Sequence, residues 1–161
     1  MERSFNITGS CYPDEHYMVD ISDRLAAIKK LVDARKYFAI NRGRQYGKTT
    51  TLMALETYLE AEYIVVSLDF QLLSAEDCSD EQKFVRAFAN VLLINSRYSS
   101  YGMSDAVTEQ LREMKNDAKC TLSELFLVLS AWCREAEKPI VLMIDEVDQA
   151  SNNQVFLDFL A

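Results

Sequence analysis

The sequence is poor in glycine and proline, with four and two among 161 residues. Turn-rich all-β folds and disordered chains use more of both, so regular elements joined by few long loops are expected. Histidine is scarcer still. His16 stands alone, which leaves no second imidazole for a zinc site or a partner for a histidine-based triad. The four cysteines, Cys11, Cys78, Cys120 and Cys133, lie far apart and make no C-x-x-C pair. Metal and redox motifs gain no support from them, and they read as scattered free thiols of a reducing compartment.

Basic charge is also short, at 17 Lys and Arg against 25 Asp and Glu, for a net charge of -8. A nucleic-acid binder displaces phosphate counterions with a basic excess, so direct nucleic-acid binding is not expected of this acidic chain. No apolar run reaches the roughly 18 residues of a membrane span. No early segment combines a charged start, an apolar core and a small-residue cleavage site. The expectation is a cytoplasmic protein that does not enter a membrane. With 49% apolar and 26% charged residues, the composition is that of an ordinary globular protein, and the length suits one domain with a real core. Residues 1–161 are therefore read as a single domain, with 1–20 as an irregular lead-in.

Apolar spacing supplies the elements. Ser22 is a candidate N-cap for a helix carrying Leu25, Ile28, Leu31 and Val32 on one side. A strand is expected at 37–40, followed by a basic loop over 41–48 and a helix over 49–61 with Leu52, Leu55 and Leu59 as its buried row. Residues 63–68 are apolar almost throughout, as in a strand covered on both faces. Strand, loop, helix and strand make a βαβ unit with parallel strands. An acidic stretch over 74–81 leads into a helix with Phe84, Phe88, Val91 and Leu92 in phase, then a loop at 98–104 and a weaker helix at 105–115. Thr121 and Glu124 have capping-box spacing, opening a helix with the row Leu122, Leu125, Phe126, Leu129, Trp132 and Cys133. Pro139 ends it. Residues 140–144 read as a third buried strand running into Asp145, Glu146, Val147 and Asp148, and after a polar turn at 149–153 a helix begins with Val155, Phe156, Phe159 and Leu160.

Two places carry chemistry. The window Arg42-Gly43-Arg44-Gln45-Tyr46-Gly47-Lys48-Thr49 matches G-x-x-x-x-G-K-[ST] except that Arg42 stands at the first glycine, and it falls between an expected strand and an expected helix. Gly43, one position later, could take over the bend. In such a loop the backbone N–H groups and the positive end of the new helix converge on a triphosphate. Gly43, Arg44, Gln45, Tyr46 and Gly47 would form the cradle. Lys48 would bridge the outer phosphates, Thr49 would give its hydroxyl to Mg²⁺, and Thr50 could reach the inner phosphate. Arg42 and Arg44 suit either phosphate neutralisation or a solvated surface. The second place is the acid pair ending the third strand: Asp145 can hold Mg²⁺, directly or through water, and Glu146 can orient and polarise the water that attacks the γ-phosphate. Asp69, ending the second strand, lies on the same edge of the expected sheet and reads more simply as a strand-end aspartate.

These residues resemble the AAA-like and STAND-type P-loop ATPases. The likeness is carried by Tyr17-Met18-Val19-Asp20, by the run from Tyr37 to Thr50, and by Pro139 to Asp148, while the middle of the chain, 73–138, carries no signature of the group. The resemblance implies a P-loop NTPase fold, a three-layer α/β/α sandwich with a mainly parallel sheet, and Mg·ATP as ligand. It further implies that another strand, following the Asp145 strand in sequence, lies between that strand and the P-loop strand. The chain is thus expected to be the N-terminal part of such a domain, truncated before the central sensor strand, weak or inactive as a fragment and prone to self-association through uncovered edges. Two other functions stay open: a non-catalytic nucleotide-dependent switch or scaffold, and a P-loop kinase acting on a small molecule.

Overall fold

A computed structural model describes residues 19–41, 47–99, 101–147 and 154–160. The chain divides into two compact units, Met1–Ala61 and Glu62–Ala161. The expected lead-in up to residue 18, the loop residues 42–46, Asp148 and the polar turn at 149–153 lie outside the described residues.

In the first unit, helix α1 spans Ser22–Asp33 and helix α2 spans Lys48–Leu59, and the two pack together. Leu25 and Ile28 of α1 and Leu55 and Leu59 of α2 are buried. The start of α1 differs from expectation by one residue. Ser22 is already helical and Ile21 occupies the cap position, while Asp20 Oδ1 accepts the Ser22 N–H at 2.9 Å. Hydrogen bonds from the Ser22 side chain and backbone hold the Asp20 carboxyl below the usual range. The helix ends with Arg35 in the left-handed region, φ 53. Arg35 N–H donates to Val32 O at 2.8 Å and Lys36 N–H to Leu31 O at 3.0 Å, the paired bonds of a Schellman ending.

The strand expected at 37–40 is not formed. Those residues have no assigned secondary structure, and Tyr37 is 97% exposed. Aromatic and β-branched residues favour a pleated, half-buried surface only when a ladder partner supplies one, and no strand among the described residues pairs with this segment.

The second unit holds strand β1 (Ile64–Asp69), a 3-10 turn (Phe70–Leu72), helices α3 (Glu81–Asn95), α4 (Asp105–Asn116) and α5 (Leu122–Glu135), strand β2 (Ile140–Asp145) and helix α6 (Gln154–Leu160). β1 and β2 pair in parallel, in register from Ile64 with Ile140 to Asp69 with Asp145. Parallel neighbours need a long crossover, here made by α3, α4 and α5. The architecture is mixed α/β, mostly helical, with a sheet of two strands among the described residues.

Each helix of the crossover begins on a side-chain cap. Asp80 accepts the Lys83 N–H at 2.8 Å, Ser104 Oγ the Val107 N–H at 3.3 Å, and Thr121 and Glu124 form the expected capping box. Phe84, Phe88, Val91 and Leu92 are all buried. So is Trp132, whose Nε1 donates to Tyr101 O at 3.1 Å. Two rows depart from expectation. On α5, Phe126 and Cys133 face outward and Val128 takes the core position. On β2 only Met143 is buried and Leu142 is exposed, so the apolar run 140–144 is less covered than a central strand would be.

Candidate functional site

Gly47 caps α2 with φ 72 and ψ 31, a left-handed conformation that glycine adopts without the penalty a Cβ incurs. The turn it makes puts Lys48, Thr49 and Thr50 in the first turn of the helix. The intrahelical ladder starts when Thr51 N–H reaches Gly47 O at 2.9 Å. Thr51 Oγ1 donates to the same carbonyl at 2.8 Å, and Thr51 is buried, with 2% exposure. Its hydroxyl therefore pins the carbonyl of the bend from the inside. The first-turn N–H groups precede the ladder and have no intrahelical acceptor, so they carry the positive end of the helix dipole. No acidic side chain lies in that turn, and its cap residue, Gly47, contributes no side-chain cap. Thr49 is exposed and Lys48 half-buried. Gly43, Arg44, Gln45 and Tyr46 lie outside the described residues.

In the second unit, Asp145 is the last residue of β2 and Glu146 follows it with φ 54. A left-handed glutamate is uncommon. The bend is supported by Glu146 N–H, which donates to Asp145 Oδ1 at 2.8 Å. Both carboxylates are half-buried at the carboxyl end of the sheet. Asp69 is the ladder partner of Asp145. Its Oδ1 accepts the Gln71 N–H at 2.8 Å and caps the 3-10 turn, which gives it a local task of its own. Among the described residues no group of three or more His, Cys, Asp or Glu side chains has the geometry of a metal cage. Mg²⁺ on a triphosphate asks for less, one or two protein oxygens beside phosphate and water; Thr49 in the first unit and Asp145 in the second each carry an oxygen of that kind.

Sequence reasoning missed two positioning residues. Thr51 carried no signal apart from its place four residues after Gly47. Asn95, at the end of α3, donates from Nδ2 to Ser67 O at 3.0 Å, a link between residues 28 apart that no local pattern announces. Two of the thiols are withdrawn from solvent: Cys78 and Cys120 are buried, and burial pushes both thiols up, which favours the protonated, unreactive form. No helix of the described residues is long and apolar enough to cross a membrane.

Comparison with protein-family models, with curated proteins and with solved structures gives no match.

Proposed function

We propose that the chain is a P-loop ATPase that binds Mg·ATP at Gly47-Lys48-Thr49-Thr50 and couples nucleotide binding and hydrolysis to conformational change or assembly. The observation that carries the reading is Gly47 in the left-handed conformation immediately before Lys48 and Thr49, at the start of a helix with no acid in its first turn. Oriented N–H groups, one lysine and one hydroxyl are the donor set a triphosphate with its metal requires. Asp145 and Glu146, ending a strand of a parallel sheet, complete the proposed chemistry. On this reading Thr49 gives its hydroxyl to Mg²⁺ and Lys48 neutralises charge on the outer phosphates, Asp145 being the candidate carboxylate for the metal and Glu146 the candidate base for the attacking water. The full three-layer P-loop sandwich belongs to the same proposal.

Two measurements test it. Lys48→Ala removes a charge-assisted contact of about 1.5–3 kcal/mol and is expected to weaken ATP binding by roughly 10- to 100-fold in calorimetry. Glu146→Gln is expected to leave binding intact while cutting turnover by about 10²- to 10⁴-fold, the usual worth of a general base. Unchanged turnover in Glu146→Gln would remove the assigned base, and unchanged binding in Lys48→Ala would remove the site.

A further inference from the structure

On α3, Lys83, Arg86, Ala87, Asn90 and Val91 follow one another at the spacing of a single helical stripe. The stripe meets Leu72, Leu73 and Asp77 from the segment before α3 and Lys115 from the last turn of α4, and together they line a cavity of about 390 Å³. Small-molecule sites run from about 300 to 1,000 Å³. Every wall comes from one run of chain, 72–115, in the second unit. The charges inside do not cancel. Lys83 is engaged locally by Glu76, Asp80 and Ser79, and Asp77 Oδ2 accepts from the Ser74 N–H and hydroxyl at 2.9 and 2.7 Å. Arg86 and Lys115 have no ion-pair partner among the described residues. Arg86 Nε donates to Lys115 O at 3.3 Å, which anchors the guanidinium at the end of α4 and leaves its Nη1 and Nη2 groups as an end-on fork. Such a fork matches two oxygens of a carboxylate or a phosphate. The Asn90 side chain is half-buried and makes no hydrogen bond among the described residues, although polar side chains withdrawn from solvent ordinarily have a partner. Leu73 and Val91 are buried and Ala87 half-buried, so the donors stand beside apolar surface. A solvated helix face accounts for an exposed lysine and arginine. It does not account for an unpaired amide and an apolar floor next to them.

We propose that this cavity binds a small organic anion, its carboxylate or phosphate group held by Arg86, Asn90 and Lys115 and its apolar body resting on Leu73, Ala87 and Val91. The guanidinium fork takes two oxygens, and the Lys115 ammonium and the Asn90 N–H groups serve the lone pairs that remain. Two cations facing one acid, in a chain whose net charge is -8, make the cavity a local exception that attracts an anion the rest of the surface repels. A body of a few carbons covers the apolar floor, which gives the ligand its class: an oxyanion with a short hydrocarbon or aromatic part rather than a bare inorganic ion. The site belongs to the second unit and uses none of the residues assigned to the nucleotide, so it does not rest on the nucleotide reading.

Titration of the full ¹⁵N-labelled chain with hexanoate and with phenyl phosphate, followed by nuclear magnetic resonance at the Asn90 side-chain amide and the Arg86 Nε–H, reads the site directly. The expected result is saturable movement of both signals with one dissociation constant, and the tighter of the two probes names the oxyanion. Acetate, which lacks the body, should bind at least about tenfold more weakly than hexanoate. Lys115 is exposed and its ammonium has no partner among the described residues, so Lys115→Ala should fold normally and raise the dissociation constant about tenfold. Asn90→Ala should weaken binding in the same direction, read at Arg86. Lys119→Ala, which removes an exposed lysine that does not line the cavity, should leave binding unchanged. Signals that do not saturate with either probe, acetate binding as tightly as hexanoate, or equal weakening by Lys115→Ala and Lys119→Ala overturns the proposal. Because the signals belong to Asn90 and Arg86, failure here is separable from failure of ATP binding at Lys48.

Discussion

Left-handed backbone at Gly47, Arg35 and Glu146 sets up a contrast that single substitutions can measure. Gly47, at φ 72, has open space where a Cβ would sit, with nothing within 4 Å. Gly47→Ala should therefore cost only the conformational penalty of about 1 kcal/mol, read as a lower urea midpoint for the α1–α2 unit. Arg35 lies in the same region at φ 53 but carries a side chain. Arg35→Gly should shift the midpoint the other way by up to about 1 kcal/mol, since the Schellman bonds come from the backbone and survive. Glu146, at φ 54, is the third. Strain retained by a glutamate at the end of a strand fits a residue kept for its carboxylate. The helix start at Lys48 and the strand end at Asp145 were legible in the sequence, because each is marked by its immediate neighbours. Thr51 and Asn95 were not, because a pinned carbonyl and a latched strand edge exist only after the chain has folded back.

At the scale of elements, helices were the most legible feature and strands the least. Thr121 and Glu124 advertise their box by spacing alone, and Thr121→Ala should lower stability by about 1 kcal/mol in denaturant unfolding. Asp80 caps α3 in the same way, and the Lys83 backbone N–H, with lesser help from the Lys83 ammonium, holds its carboxyl below the usual range. A depressed folded-state carboxyl contributes its stability above the unfolded value, near pH 4, and loses it as pH falls through the lower folded value. Asp80→Asn keeps an acceptor at the cap and removes the titration. Thermal melts of this variant should fall less steeply below about pH 4 than those of the unaltered chain. Strands resist this kind of reading because their partner is remote. Residues 37–40 have strand-forming side chains and no ladder, whereas 140–144 have both but less cover than an apolar run suggests. Apolar composition marks what can be buried. Topology decides what is.

Across the second unit, stability rests on five phenylalanines that converge from three places in the sequence. Phe70 follows β1, Phe84 and Phe88 come from α3, and Phe156 and Phe159 come from α6, with ring centroids 4.8 Å apart for Phe88 and Phe159 and 5.4 Å for Phe70 and Phe156. Periodicity placed the four helical rings on inward faces and left Phe70 unmarked, and their meeting needs the crossover to return β2 beside β1, so only the α/β class and not the cluster was legible. The cluster separates two kinds of failure. Helix α6 has seven residues, below the roughly 12–15 at which isolated helices become even marginal in water. It is held by packing through Phe156, which is buried, and Phe159, which stacks on Phe126 at 5.9 Å. Phe84 instead lies at the centre with no exposure and touches the aromatics of both partners. Either truncation to alanine is expected to cost about 3–5 kcal/mol, against about 5–15 kcal/mol for a whole domain. For Phe84→Ala the loss should be global, lowering protection of α3, α5 and the ladder together in hydrogen exchange. For Phe156→Ala it should be capped by release of α6, whose amides lose protection while the β1–β2 ladder keeps most of its own. Equal loss of protection across all elements in both variants would show that α6 is part of the cooperative core rather than a helix clipped onto it by two rings.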